Sequence, residues 1–178
     1  VQTCALPICA TFKTDLQDSL INAGTGRNYG VEFTLEKFFS RGYYGLLTTS
    51  FYDAKYMASD GVERNTAFNG KYIFNVLGGK EWAVGPGGAN KISLDLKYTN
   101  AGGRAFTPID LAKSKASGRE QQSTAEYASF YENYYRLDLK VGFTLNSANK
   151  NRSHTLSLDL QNVTNHKNIF SQNYDNKT

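Results

Sequence analysis

The sequence predicts an all-β fold, an antiparallel up-and-down meander of about six strands that forms part of a larger transmembrane β-barrel. Three observations predict it. Apolar and polar residues alternate with a period of two along most of the chain from Asn28 onward. The connections between these alternating runs are short and long by turns. Composition agrees, since aromatic residues make up 13% of the 178 residues and Gly numbers 16 against 3 Pro, a balance that favours strands joined by turns.

The first strand is expected over 28–38, where Tyr29, Val31, Phe33 and Leu35 lie opposite Gly30, Glu32, Thr34 and Glu36. The second, over 42–56, is strand-like in composition, but its faces are ambiguous because Leu46 and Leu47 compete. The third, over 68–82, sets Tyr72, Phe74 and Val76 on one face and mixes Ile73 and Leu77 into the other. The fourth, over 90–100, opposes Ile92, Leu94, Leu96 and Tyr98 to Ser93, Asp95, Lys97 and Thr99. The fifth, over 134–146, is the clearest: Tyr135, Leu137, Leu139, Val141, Phe143 and Leu145 against Arg136, Asp138, Lys140, Gly142, Thr144 and Asn146. The sixth, over 154–163, sets Leu156, Leu158 and Leu160 against Ser157, Asp159 and Gln161. A further short strand is expected near 19–22.

Short links, FSRG, AVGPGGA and SANKNR, join strands one to two, three to four and five to six. Long links, MASDGVERNTAF, the stretch from Ala101 to Asn133 and the tail after Asn162, alternate with them. In an antiparallel meander every second connection falls at the same end, so short turns gather at one end and long loops at the other. A hairpin centred on Asn149 and Lys150 sets Lys140 opposite Asp159, Asp138 opposite Gln161 and Leu139 opposite Leu160. An inward Lys140–Asp159 ion pair would contribute about 0.2–1 kcal/mol and help hold register.

A soluble sandwich also alternates, so the membrane expectation rests on more. The apolar faces of strands four, five and six are long, with up to six consecutive outward positions, matching the roughly 9–11 residues that a tilted strand needs to cross a bilayer. The opposite faces carry charge suited to a wet lumen, with Glu32, Asp95, Lys97, Arg136, Asp138, Lys140, Asp159 and Gln161 expected to point inward. Aromatics near strand ends, among them Tyr29, Phe38, Phe39, Tyr43, Tyr44, Trp82, Tyr98, Tyr134 and Tyr135, would form interfacial girdles. Lipid tolerates no open sheet edge, and six strands are fewer than the smallest barrels use, so the sequence reads as a fragment.

Several other chemistries are disfavoured. The chain holds no apolar run long enough for a spanning helix. Its net charge is +4, but Lys and Arg are interspersed with Asp and Glu, so no nucleic-acid partner is expected. GTGRNYG lacks the third glycine of a dinucleotide fingerprint and precedes a strand, so it reads as a turn. His154 and His166 stand on different connections without Cys or carboxylate at ligand spacing, and nothing arranges Ser, His and Asp as a triad. No catalytic residue, metal or cofactor is expected. The sequons NRS, NVT and NKT are taken as chance.

The runs NAGTGRNYGVEFTLEKFFSRGYY, SFYDAKYMASDGVERNTAFNGKYIFNVLGGKEW, GGRAFTPIDLAKS, YYRLDLKVGFTLN and SLDLQNVTNHKNIFSQNYD, in that order, resemble the C-terminal barrel of TonB-dependent outer-membrane receptors of the Bacteroidetes type. The resemblance covers roughly residues 11–178. It implies a barrel of about 22 strands with a plugged lumen in a Gram-negative outer membrane. It further implies energised uptake of a small nutrient such as a siderophore, metal complex, vitamin or oligosaccharide. The implied partners are outer-membrane lipid, TonB acting through an N-terminal plug, and a surface lipoprotein. The signal peptide, TonB box, plug and final strand of that pattern have no counterpart here. A passive porin and a barrel that only binds or adheres are the alternatives.

Ligand contacts are expected from the long loops, which a rigid scaffold positions. Arg104, Lys113, Lys115, Arg119, Tyr127, Tyr131 and Tyr134 would suit an anionic or aromatic ligand. TPIDLAKSKASG reads as a loop helix with Thr107 as N-cap, Pro108 at its first position and Gly118 beyond its end.

The opening VQTCALPIC holds both cysteines and fits none of this. A common sequencing adapter reads GTT CAG ACG TGT GCT CTT CCG ATC in one frame, which encodes Val1 to Ile8. Residues 1–9 are therefore expected to be an adapter-derived segment and its junction, and 10–178 the barrel portion.

Overall fold

In the computed structural model, residues 24–147 and 151–175 are described. The expected strand at 19–22, the adapter-like segment with both cysteines, and the turn at Asn149 and Lys150 lie outside them. The long strands are β1 (Thr25–Ser40), β2 (Tyr43–Met57), β4 (Tyr72–Val84), β5 (Asn90–Ala101), β8 (Tyr134–Asn146) and β9 (Ser153–Leu160). Shorter pieces sit in the connections: β3 (Glu63–Asn65), β6 (Ala105–Phe106), helix α1 (Leu111–Ser117) and β7 (Ser129–Phe130).

The sheet runs β1-β2-β4-β5-β8-β9 with every neighbouring pair antiparallel, and β3 pairs with β2 off this path. Consecutive long strands are sheet neighbours, the simplest solution to the chain-crossing rules. The β1–β2 and β4–β5 links, the end of β8 and the start of β9 gather at one end, and the elaborated β2–β4 and β5–β8 connections at the other. The β1–β2 turn is two residues, Arg41 and Gly42, at φ 54° and 79°. Positive φ at both central positions is what a type I′ hairpin turn requires, because its twist matches that of the strands.

Register resolves the ambiguous second strand. Leu47 lies between Leu35 and Val76 on one face, and Leu46 lies between Glu36 and Leu77 on the other. The two leucines that disturbed the pattern, Leu46 and Leu77, meet each other on the otherwise polar face. Ile73 does the same beside Ala101. The β8–β9 ladder pairs Lys140 with Asp159 and Leu139 with Leu160 as expected. Two details of that hairpin are corrected. The ladder ends at Leu160, so Gln161 has no strand partner in Asp138, whose carboxylate instead accepts the backbone N–H of Asn162 at 2.8 Å. Lys140 and Asp159, though paired, form no ion pair.

Few side chains of the described residues are buried, and none of the large apolar ones is. The only buried hydrophobic residues among those described are Ala54 and Ala105. The face shared by Val31, Phe33, Leu35, Ile92, Leu94, Leu96, Val141, Phe143, Leu156 and Leu158 is open, with Val31 at 72% and Leu156 at 77% exposure. Among the described residues no second layer covers it, and no described helix is long and apolar enough to cross a membrane.

Candidate functional site

The long connections interlock at one end of the sheet. Strand β6 pairs with β7 through Ala105–Phe130 and Phe106–Ser129, and Tyr131 N–H extends the pairing to the Arg104 carbonyl at 3.0 Å. Glu126 reaches back to Tyr56 Oη at 3.1 Å and to Arg64 at 3.5 Å, joining the β5–β8 connection to β2 and β3. The tail after β9 joins them, since Arg104 donates to the Phe170 carbonyl at 2.7 Å.

Helix α1 begins later than the sequence suggested. Its N-cap is Asp110, whose carboxylate accepts the Lys113 N–H at 3.0 Å, and its C-cap is Gly118 in the left-handed conformation. That backbone hydrogen bond, and then the Lys113 ammonium, hold the Asp110 carboxyl below its ordinary range. Thr107 is not the cap. Its hydroxyl accepts the Tyr127 N–H at 3.1 Å, and the following backbone is tied to the return strand by Asp110 N–H to Gln121 O and Ser123 N–H to Pro108 O, both 2.8 Å. Ser114, fully buried, holds Gln121 from the helix side.

Between these connections and the polar face lies a cleft of about 610 Å³. Its walls include Tyr52, Phe68, Ile73, Tyr131, Tyr134 and Phe170, with Arg104 and Glu132 as the charged groups. Tyr131 is stacked on Phe106 with ring centres 4.1 Å apart, and Arg104 lies over Phe170 at 5.1 Å. Gly102 and Gly103 form part of the wall, and a Cβ would run into the Gly70 carbonyl at the first and the Tyr131 carbonyl at the second. Such a site offers flat apolar walls and one guanidinium, a combination suited to orienting a ligand with an apolar body.

Of the seven loop residues expected to contact ligand, Arg104, Tyr131 and Tyr134 converge on this cleft. Tyr127 lies elsewhere, edge-on to Tyr56 at 6.2 Å, in a depression of about 190 Å³ with Arg64 and Glu126. Lys113 is paired with Asp110 at 3.0 Å, and Lys115 and Arg119 stand exposed on and after α1, so none of the three lines the cleft. Phe68 and Phe170 carry no signal in the sequence, being isolated apolar residues in loops, and Ile73 shows there only as a break in the alternation of the third strand. The Gly102–Gly103 pair was the available clue to a close approach.

The expected inward set shares one face by register: Glu32 on β1, Asp95 beside Lys140 and Asp159, Lys97 beside Asp138, and Arg136 beside Thr99. Gln161 falls beyond the ladder. On this face Tyr44 Oη donates to Asp95 at 2.8 Å, and Arg136 Nε to Asp138 at 2.6 Å. Among the described residues no group of three or more His, Cys, Asp or Glu is placed to hold a metal.

Comparison with protein-family models, curated proteins and solved structures finds no match to this chain.

Proposed function

We propose that the chain is the C-terminal part of the barrel of a TonB-dependent receptor in a Gram-negative outer membrane, taking part in energised uptake of a small nutrient. The observation that carries this reading is the apolar face of a sheet of long antiparallel strands, left uncovered by the described residues and backed by a charged face. Water would penalise so large a contiguous apolar surface, and a bilayer removes that penalty. The end-to-end asymmetry supports the same reading, because outer-membrane barrels turn tightly toward the periplasm and carry their long loops outside. Strands of 12–16 residues in β1, β2, β4, β5 and β8 exceed the roughly 9–11 a tilted crossing needs.

On this reading the aromatic cleft faces the cell exterior and takes part in nutrient capture. A plug joined to TonB drives release inward, and a surface lipoprotein presents the ligand. The activity is not enzymatic. The test uses the full-length parent protein in cells. Nutrient uptake that depends on it and collapses with a protonophore supports the receptor reading. Uptake insensitive to the protonophore replaces it with a passive porin, and surface binding without uptake replaces it with an adhesion or binding barrel. A parent gene without an upstream plug would overturn it directly.

A further inference from the structure

We propose that the short-turn end of the apolar face carries a site for the phosphate of an anionic phospholipid, built by Lys37, Tyr43, Lys80 and Trp82. The proposal rests on the membrane reading, which turns this face toward lipid and this end toward the periplasmic leaflet.

The four residues share the apolar face. Register sets Lys37 opposite Gly45 and Tyr43 opposite Lys80, and Trp82 follows two residues after Lys80 on the same side of β4. The Lys37 ammonium lies 3.7 Å from the centre of the Tyr43 ring, and that of Lys80 lies 5.3 Å from the Trp82 ring. Two cations thus flank one tyrosine beside the apolar stretch formed by Leu35, Leu47, Val76, Ile92 and Leu94. Such placement is costly at the bilayer midplane and nearly free at the interface, where long side chains direct their charge to the headgroups.

What distinguishes this end is the missing counter-charge. At the long-loop end the cations of the same face are neutralised within the protein: Arg27 meets Glu63 at 2.7 Å, and Lys55 meets Glu63 at 3.5 Å and Asp53 at 3.6 Å. At the short-turn end, among the described residues, neither Lys37 nor Lys80 has a carboxylate within ion-pair distance. Glu36 and Glu81 lie on the opposite face, and Glu81 is taken by Lys91 at 3.1 Å. Arg41 in the adjoining turn adds a third cation.

The two lysines play different parts. Lys37 donates to the carbonyls of Phe38, Ser40 and Tyr43, each at 3.3 Å, and to Ser40 Oγ at 3.0 Å, which fixes its charge without cancelling it. The Lys80 ammonium and the Trp82 indole N–H make no hydrogen bond to another described residue, so both remain to donate to a phosphate oxygen. A phosphodiester there would accept from Lys80 and Trp82 in the field of Lys37, with its acyl chains along the leucine-rich face.

The test is a lipid titration of the full-length protein in detergent by native mass spectrometry, with phosphatidylglycerol or phosphatidylcholine as the probe. Phosphatidylglycerol should bind more tightly than phosphatidylcholine, and Lys37→Gln and Lys80→Gln should each weaken it about fivefold. Lys80→Arg should retain the preference, and Lys91→Gln, at the same end but on the polar face, should leave it unchanged. Equal binding of the two lipids, or a preference unmoved in the Lys37→Gln/Lys80→Gln double variant, overturns the site. Insertion into phosphatidylethanolamine vesicles is measured separately. Failure there overturns the membrane reading and this site together, whereas insertion without lipid preference overturns the site alone.

Discussion

The carboxamide of Asn168 takes the place of a strand beside Tyr135, its Oδ1 accepting the Tyr135 N–H and its Nδ2 donating to the Tyr135 carbonyl, both at 3.0 Å. Strand β9 stops at Leu160, which would leave the loop-ward end of β8 without partners on that side. The tail supplies them in sequence, with Asn162 N–H on the Asp138 carboxylate and Val163 N–H on the Leu137 carbonyl, both at 2.8 Å. His166 then stacks on the Tyr135 ring at 3.7 Å. Asn168→Leu should cost about 1–3 kcal/mol by stranding two backbone groups. Hydrogen exchange at the Tyr135 amide should accelerate roughly tenfold or more, with Asn168→Asp, which loses only the donor, in between. Unchanged exchange in the leucine variant would show that the tail does not hold this edge.

Asn69 does the corresponding work at β2. It is fully buried, accepts the Ala54 N–H at 3.1 Å, and donates to Asp53 and Asn65, both at 2.9 Å. One side chain thus ties the end of β3 and the loop behind it to the strand they leave. Asn69→Leu keeps the volume and loses all three bonds, so a loss of about 1–3 kcal/mol is expected. Denaturant unfolding in detergent measures it, and a midpoint equal to wild type would mean the network is dispensable.

How far the fold was legible follows from what repeats locally. Alternation exposes faces wherever one side is uniformly apolar, as in β5 and β8, but Leu46 and Leu77 are explained only by each other, across a pairing that no single strand encodes. The cleft was half legible for a similar reason. Arg104, Tyr131 and Tyr134 advertise themselves by chemistry, while Phe170 arrives through the Asn162 and Asn168 contacts of the tail. Lys113 and Lys115 lie outside the cleft on α1, which the Ser114–Gln121 bond helps tie to the return strand, a contact that spacing does not reveal. Alternation predicts the Lys140–Asp159 register, but not that the two charges stay beyond ion-pair distance. Neutralising both in a Lys140→Gln/Asp159→Asn variant should therefore shift stability by less than about 0.5 kcal/mol. A loss above 1 kcal/mol would mean that the pair does form.

Gly79 makes room for the Tyr44–Asp95 hydrogen bond on the polar face. A Cβ built there would run into the Asp95 carboxylate and come within 2.5 Å of the Tyr44 ring. Gly79→Ala should cost about 1–3 kcal/mol by overpacking, and Tyr44→Phe about 1.5–3 kcal/mol by removing a bond to a charged acceptor. The two effects should be strongly non-additive, because displacing the ring already breaks the bond. Additive losses in the double variant would refute the shared cause.

The Asp60–Arg64 clamp sets a pH threshold for the loop that leads into β3. Both carboxylate oxygens are engaged by the guanidinium, at 3.0 and 2.6 Å, and Val62 N–H adds a third bond at 3.0 Å. Chiefly through the Arg64 bonds, and then that of Val62, the Asp60 carboxyl is pulled from 3.8 down to about 2, while Arg64 is pushed above its ordinary value. A folded-state pKa below the unfolded one means that the clamp's contribution is fully present above about pH 3.8 and is lost as pH falls through about 2. The Asp60 carboxyl carbon, followed by NMR, should titrate near the lower value, and amide protection at Val62 should decline over the same window. Asp60→Asn should flatten that dependence while leaving the loop shape at neutral pH. An Asp60 midpoint near 3.8 would mean that the guanidinium does not hold it.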